Sequence, residues 1–219
     1  MKSKIPKIAY LGPSGSYHHQ ALIKYFLKYN NKNKNKDPVT DQITNGIFDN
    51  VSCNSFEAIV NAVANNQAQY GVIATENKIV GTIEEVQKLL NNQNIKNEIK
   101  IIDEVILPID HNLIGLKTND LECKLSNITS NITTIYSHPK ALQQCSIFLR
   151  NNPNIKTIET SSTTQAVSII KQVGNPQLAV IASSQLAQKP LMIIQSDIAD
   201  KRDNWTKFTI FGNKKTLNK

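Results

Sequence analysis

The residues best suited to chemistry stand in a few short stretches. Asn204-Trp205-Thr206-Lys207-Phe208 sets one hydroxyl and one cation between a polar run, Asp200-Lys201-Arg202-Asp203, and an apolar alternation, Phe208-Thr209-Ile210-Phe211-Gly212. The alternation predicts a strand, so Thr206 and Lys207 are expected in the loop that leads into it. Glu76-Asn77 follows the apolar run Tyr70-Gly71-Val72-Ile73-Ala74-Thr75. Ser137 and Gln144 are spaced to share one side of a helix that opens at Pro139. Gly12-Pro13-Ser14-Gly15-Ser16 is a glycine-rich turn after a short apolar run and before a helix carrying His18 and His19. Loops at strand ends are where open α/β sheets bind ligands, and helix N-termini attract anions. Hydroxyls, carboxamides and N-termini gathered there suit a small anion with several carboxylates. Each stretch has a plainer reading beside this one. Thr206 can simply open a strand with Lys207 as a solvated edge charge, and Thr82 and Ser137 can be helix caps. His18 and His19 read as exposed or capping residues rather than catalytic ones.

The elements that must carry these residues alternate. Apolar runs at 7–11, 47–53, 70–75, 99–116, 132–136, 156–160, 178–182, 191–196 and 208–212 read as strands. Helical spacing follows at 17–29, 56–63, 83–90, 141–149, 163–173 and 184–188. Strand-helix alternation predicts an α/β fold with parallel sheets covered by helices. Residues 30–45 and 117–131 are polar and read as loops, the second with a short helix.

Composition narrows the function. The 219 residues suffice for one large domain or two lobes, and the net charge is +8. Such a basic chain binds either nucleic acid or small anions. Part of the excess lies in the repeat Asn31-Lys32-Asn33-Lys34-Asn35-Lys36, which reads as a solvated loop, and aromatics do not interleave with the basic residues as a single-strand binder needs. No apolar run approaches the ~18 residues of a membrane span. The run after the basic N-terminus is too short for a signal peptide, so a cytoplasmic protein is expected. Cys53, Cys123 and Cys145 are widely spaced, so free thiols and no metal site are expected.

Taken together, the stretches resemble the prephenate dehydratase family. Gly12 to Ala21 is similar to its opening Gly-Pro-Glu-Gly-Thr-Phe-Ser-His-Gln-Ala. Tyr70 to Gly81 is similar to Gly-Val-Val-Pro-Ile-Glu-Asn-Ser-x-x-Gly, and Pro108 to Leu113 to Pro-Ile-x-His-x-Leu. Tyr136 to Cys145 matches Tyr-Ser-His-Pro-Gln-Ala-Leu-x-Gln-Cys, Ser162-Thr163 a Ser-Thr helix start, and Asn204 to Phe208 Asn-x-Thr-Arg-Phe. The resemblance implies a two-lobed α/β fold like a type II periplasmic binding protein, with the active site in the cleft. Lobe 1 would hold about 5–82 plus 186–213 and lobe 2 about 83–185, all 219 residues forming the catalytic domain. It implies conversion of prephenate to phenylpyruvate with loss of CO2 and water, in L-phenylalanine biosynthesis, without cofactor or metal, by a homodimer. Thr206 and Glu76 would be catalytic, with Asn77, Ser137, Gln144, Lys207, Phe208, Ser16 and Ser162 binding substrate.

The sequence departs from the family pattern at several places. Lys207 stands for arginine, Lys78 for serine, and Ser14, Ser16 and His18 for Glu, Thr and Ser. The chain stops soon after its last expected strand, without the phenylalanine-binding ACT domain of typical relatives, so an unregulated enzyme or a fragment is expected. Alternatives are arogenate as substrate, a decarboxylase that keeps the hydroxyl, and a non-catalytic anion binder. The decarboxylases lack the threonine that Thr206 matches.

Overall fold

The computed structural model describes residues 6–32, 48–117 and 131–217, and side chains 26–32 are left aside. Cys123 and nearly all of the loops expected over 30–45 and 117–131 lie outside the described residues. In chain order the elements are β1 (Lys7–Leu11), α1 (Tyr17–Lys32), β2 (Asp49–Cys53), α2 (Phe56–Ala64), β3 (Tyr70–Asn77), β4 (Gly81–Thr82), α3 (Glu84–Asn91), α4 (Gln93–Glu98), β5 (Ile99–Pro108), β6 (Asn112–Leu116), β7 (Thr134–Ser137), α5 (Pro139–Gln143), α6 (Ser146–Asn151), β8 (Lys156–Glu159), α7 (Thr163–Val173), β9 (Leu178–Ala182), β10 (Leu191–Gln195), β11 (Trp205–Asn213) and α8 (Lys214–Leu217). Among the described residues no helix is long and apolar enough to cross a membrane.

The chain folds into two α/β units. One holds residues up to Pro108 and from Trp205 onward; the other holds Ile109–Asn204. These boundaries differ from those expected near 82 and 186. The reason is strand pairing: β11 pairs with β5 from Trp205↔Pro108 to Asn213↔Ile99, which holds α3, α4 and β5 in the first unit. β10 pairs with β6 and so belongs to the second unit.

The first unit's sheet runs β2-β1-β3-β11-β5, with β4 on β3. β1 is parallel to β2 and β3, but β11 is antiparallel to both its neighbours. One face packs Ile8, Tyr10, Val72, Phe208 and Ile210 against Ala21, Leu22 and Tyr25 of α1. The other packs Ala9, Ile73 and Phe211 against α2 and α3. Phe208 and Phe211 are fully buried on opposite faces, each stabilising the unit by roughly 1.5–3 kcal/mol. Gly71 lies beneath the Phe211 ring, where an added Cβ would come within 2.4 Å of Cζ.

The second sheet runs β10-β6-β9-β7-β8, with β6 antiparallel to β9 and β10 and β7 parallel to β8 and β9. Both sheets are therefore mixed rather than parallel. α7 covers one face through Ala166, Val167 and Ile170, while Leu142, Cys145 and Phe148 cover the other. Ser162 caps α7 by accepting from Gln165 N, and Gly174 closes it at φ +70°, a conformation that suits glycine. The helix expected over 141–149 is broken into α5 and α6 at Gln144 and Cys145.

Candidate active site

Thr206 lies inside β11, not in the loop before it, and Glu76-Asn77 lies inside β3. These two strands pair in a register that changes step. Phe208 is opposite Ala74, but Lys207 is opposite Glu76 and Thr206 opposite Asn77, so Thr75 is an extra residue on β3. Such a bulge re-aims the side chains beyond it. Before it, Val72 and Ala74 share a face with Phe208 and Ile210. After it, Asn77 joins that face and meets Thr206. Thr75 and Glu76 both turn to the opposite face, where Thr75 Oγ1 lies 3.1 Å from Thr209 Oγ1 and Lys207 Nζ lies 2.7 Å from Glu76 Oε2.

Asn77 fixes the polarity of its contact with Thr206. Its Oδ1 accepts from the backbone N–H groups of Ile79 (3.0 Å) and Val80 (3.2 Å). Backbone N–H groups only donate, so the oxygen of the amide must be on that side and Nδ2 on the other. Nδ2 donates to Trp205 O at 3.0 Å and to Thr206 Oγ1 at 2.9 Å. Among the described residues this is the only hydrogen bond to Thr206 Oγ1. The threonine oxygen thus accepts from Asn77 and directs its own proton away from it. Accepting a bond also strengthens a hydroxyl as a donor. Thr206 is 8% exposed, in the low-dielectric surroundings where such polarisation counts.

Glu76 and Lys207 do not join this pair. They border a cavity of about 480 Å³ on the α3–α4 face, together with Thr75, Thr209, Glu104 and Lys96. The hydrogen bond to Glu76 holds the Lys207 ammonium above its ordinary pKa. Phe208, expected to touch substrate, is 1% exposed and belongs to the core.

The opening turn is built by its own backbone. Gly12 and Gly15 have φ of +83° and +88°, values that glycine adopts readily. Ser16 Oγ donates to Leu11 O and accepts from His19 N, so it caps α1 and closes the turn. His18 Nε2 accepts from Ala74 N at 3.2 Å, and the ring stands edge-on to Phe208 at 5.0 Å. The Ala74 bond requires a neutral imidazole protonated at Nδ1. Desolvation agrees, lowering the His18 pKa to about 3. Burial lowers His19 as well; it accepts from Gly15 N through Nδ1.

In the second unit Ser137 is fully buried and donates to Ile181 O at 2.6 Å, tying β7 to β9. His138, not Ser137, caps α5, accepting from Lys140 N. Gln144 sits in the break between α5 and α6, and its Oε1 lies 2.6 Å from His111 Nε2. His111 is 4% exposed, and its Nδ1 is buried with no hydrogen-bond partner among the described residues. His111 falls within the Pro108–Leu113 motif, for which no site role is expected. A lone histidine just before an apolar strand was the available signal. Ser162 serves as the cap of α7 and also contacts Thr164 Oγ1 at 3.0 Å.

Two mixed sheets, each with its own helical cover and one built on a chain that leaves and returns, place this molecule among two-unit α/β proteins. Comparison with known proteins narrows that class. A match to the family described as prephenate dehydratase spans residues 8–216. The bifunctional chorismate mutase/prephenate dehydratase of Escherichia coli K12 is 32% identical over 95% of this chain and 47% of its own length. The protein of the same description from Buchnera aphidicola subsp. Acyrthosiphon pisum is 36% identical over 96% of this chain and 48% of its own. The chain therefore spans about half the length of the curated relatives it matches. The solved prephenate dehydratase of Staphylococcus aureus Mu50 shares the fold, with a TM-score of 0.67 at 24% identity over 94% of this chain and 66% of that one. The chain belongs to the prephenate dehydratase family.

Proposed function

We propose that this chain converts prephenate to phenylpyruvate, releasing CO2 and water, as a lyase of L-phenylalanine biosynthesis. The observation that carries the reading is the polarity of the Asn77–Thr206 contact, which leaves the threonine proton to be donated. Prephenate carries a ring carboxylate and a hydroxyl on opposite sides of a diene. As the carbon–carboxylate bond breaks, its electron pair enters the ring and CO2 leaves. The carbon–oxygen bond breaks at the far side, and the ring becomes aromatic. The departing oxygen takes a proton and leaves as water. Thr206 Oγ1 supplies that hydrogen bond, and formally the proton, which solvent then restores. A threonine hydroxyl is a weak acid. Its help is therefore greatest in the transition state, where charge grows on the leaving oxygen.

Incubating the purified chain with prephenate and identifying the product tests the proposal. Phenylpyruvate is expected. A decarboxylated product that keeps its hydroxyl, or no turnover, overturns it, and arogenate assayed in parallel settles which substrate is preferred. The reading carries with it a homodimer working in the cytoplasm. Light scattering of the purified chain and cell fractionation test those two points.

A further inference from the structure

The Glu76–Lys207 ion pair lies on the face of the sheet away from Thr206, yet it marks the step on which Thr206 depends. Remove the extra residue Thr75 from the pairing and β3 slips by one. Lys207 would then face Thr75, and Thr206 would face Glu76. A one-residue slip sends each side chain to the other face. The threonine oxygen would lose an amide that donates to it and gain a carboxylate that takes its proton. The register is thus the difference between a hydroxyl that gives its proton outward and one that gives it to its neighbour.

We propose that Glu76 and Lys207 are positioning residues that hold the bulge in register, rather than groups that touch substrate. Several contacts converge on this step. Lys207 and Glu76 close it with their 2.7 Å pair. Thr75 Oγ1 donates to Lys207 O at 3.4 Å or engages Thr209 Oγ1 at 3.1 Å, and Thr75 O accepts from Ile83 N. The Ala74 N–H is taken up by His18 Nε2. Both partners of the ion pair are partly exposed, with side-chain exposures of 27% and 36%. Such a pair adds little to global stability, so its effect appears in the reacting geometry.

The inference rests on the reading of Thr206 above, and its test separates the two. Glu76→Gln and Lys207→Met are expected to lower kcat on prephenate roughly fivefold, the full worth of a partly exposed pair, with KM within about twofold. A charge-swapped pair, Glu76→Lys with Lys207→Glu, restores kcat to within about twofold of its control. That pair is built on Glu104→Gln, because Glu104 lies beside Lys207 and would repel a carboxylate there; Glu104→Gln alone is the control. A swap as impaired as the worse single variant, or a loss that falls on KM alone, means one of the two touches substrate and overturns the proposal. The Asn77 side-chain amide resonances give a second readout that needs no turnover. They are expected to shift in both single variants and to return in the swap; unchanged resonances in the single variants refute the register role. A wild-type chain that makes no phenylpyruvate counts against the proposed function only.

Discussion

Two polar pairs, Asn77–Thr206 in the first unit and His111–Gln144 in the second, are alike in size and differ in how their direction is set. Two backbone N–H groups pin the Asn77 oxygen, so its amide nitrogen is turned to donate to Thr206 and Trp205 O. Among the described residues no backbone donor pins the Gln144 side chain. With its oxygen toward His111, the imidazole donates through Nε2 and leaves Nδ1 as a bare buried acceptor. With the amide turned, the roles reverse. Where main-chain groups fix a side chain its chemistry is determined; where only another side chain does, the polarity is open and the pair tolerates an unmet group. A hydroxyl meant to give up a proton needs the first arrangement.

The largest expected effect is at the end of the first pair. Thr206→Ala is expected to lower kcat on prephenate by roughly 10²–10³-fold, the usual worth of one donor aimed at a developing oxyanion; steady-state assay of phenylpyruvate checks it. Asn77→Asp is the sharper probe. The carboxylate still accepts from Ile79 and Val80 but cannot donate to Thr206, so kcat is expected to fall roughly 10–100-fold. Near wild-type turnover in this variant breaks the argument from polarity.

Leucine at each pair compares them on one scale. Asn77→Leu removes the partner of several main-chain groups and is expected to destabilise by about 2 kcal/mol. His111→Leu removes a buried nitrogen that has no partner among the described residues but also strips Gln144 of its Nε2 contact, so the two effects oppose and stability is expected to change by less than about 1 kcal/mol. Denaturant titration of both variants reads the difference; equal destabilisation would erase the contrast. The pH dependence of stability rests on His18. Its folded pKa, about 3, lies below the ordinary value of 6.5. The unfolded chain therefore binds the proton first. Stability is fully present above pH 6.5 and is lost as pH falls from there toward 3, with a slope of up to ~1.4 kcal/mol per pH unit. His18→Gln keeps an acceptor for Ala74 N–H without titrating, so its melting temperature is expected to vary less between pH 6.5 and 4 than that of the parent.

Much of this was legible in the chain itself. Apolar runs located β1, β3, β9 and β10, and helical spacing located α2 and α7, because local burial sets those patterns. Sheet direction was not legible. β11 and β6 run against their neighbours, and no local rule states which strand a distant one will join. The two helices at Pro139–Gln143 and Ser146–Asn151 read as one, since their buried residues keep helical spacing across the break. The family motifs named Thr206, Asn77, Glu76 and Lys207 together, and sequence alone could not divide them between two faces. The bulge at Thr75 makes that division, and a bulge carries no sequence mark where the extra residue is an ordinary threonine. Ser137 and Phe208 were expected at a ligand and are instead buried in their units.

β11 lies inside its sheet, between β3 and β5, though 96 residues of the second unit, Ile109–Asn204, intervene in the chain. On the ribosome, β1 to β5 emerge long before the strand that joins β3 to β5 exists. The first unit must wait with two unsatisfied strand edges while the second is made, a long-range closure of the kind that slows folding. Thr206 arrives on that late strand. Assembly of the sheet and arrival of the reactive hydroxyl are therefore one event, and a nascent chain halted before Trp205 can hold neither the finished sheet nor a premature activity.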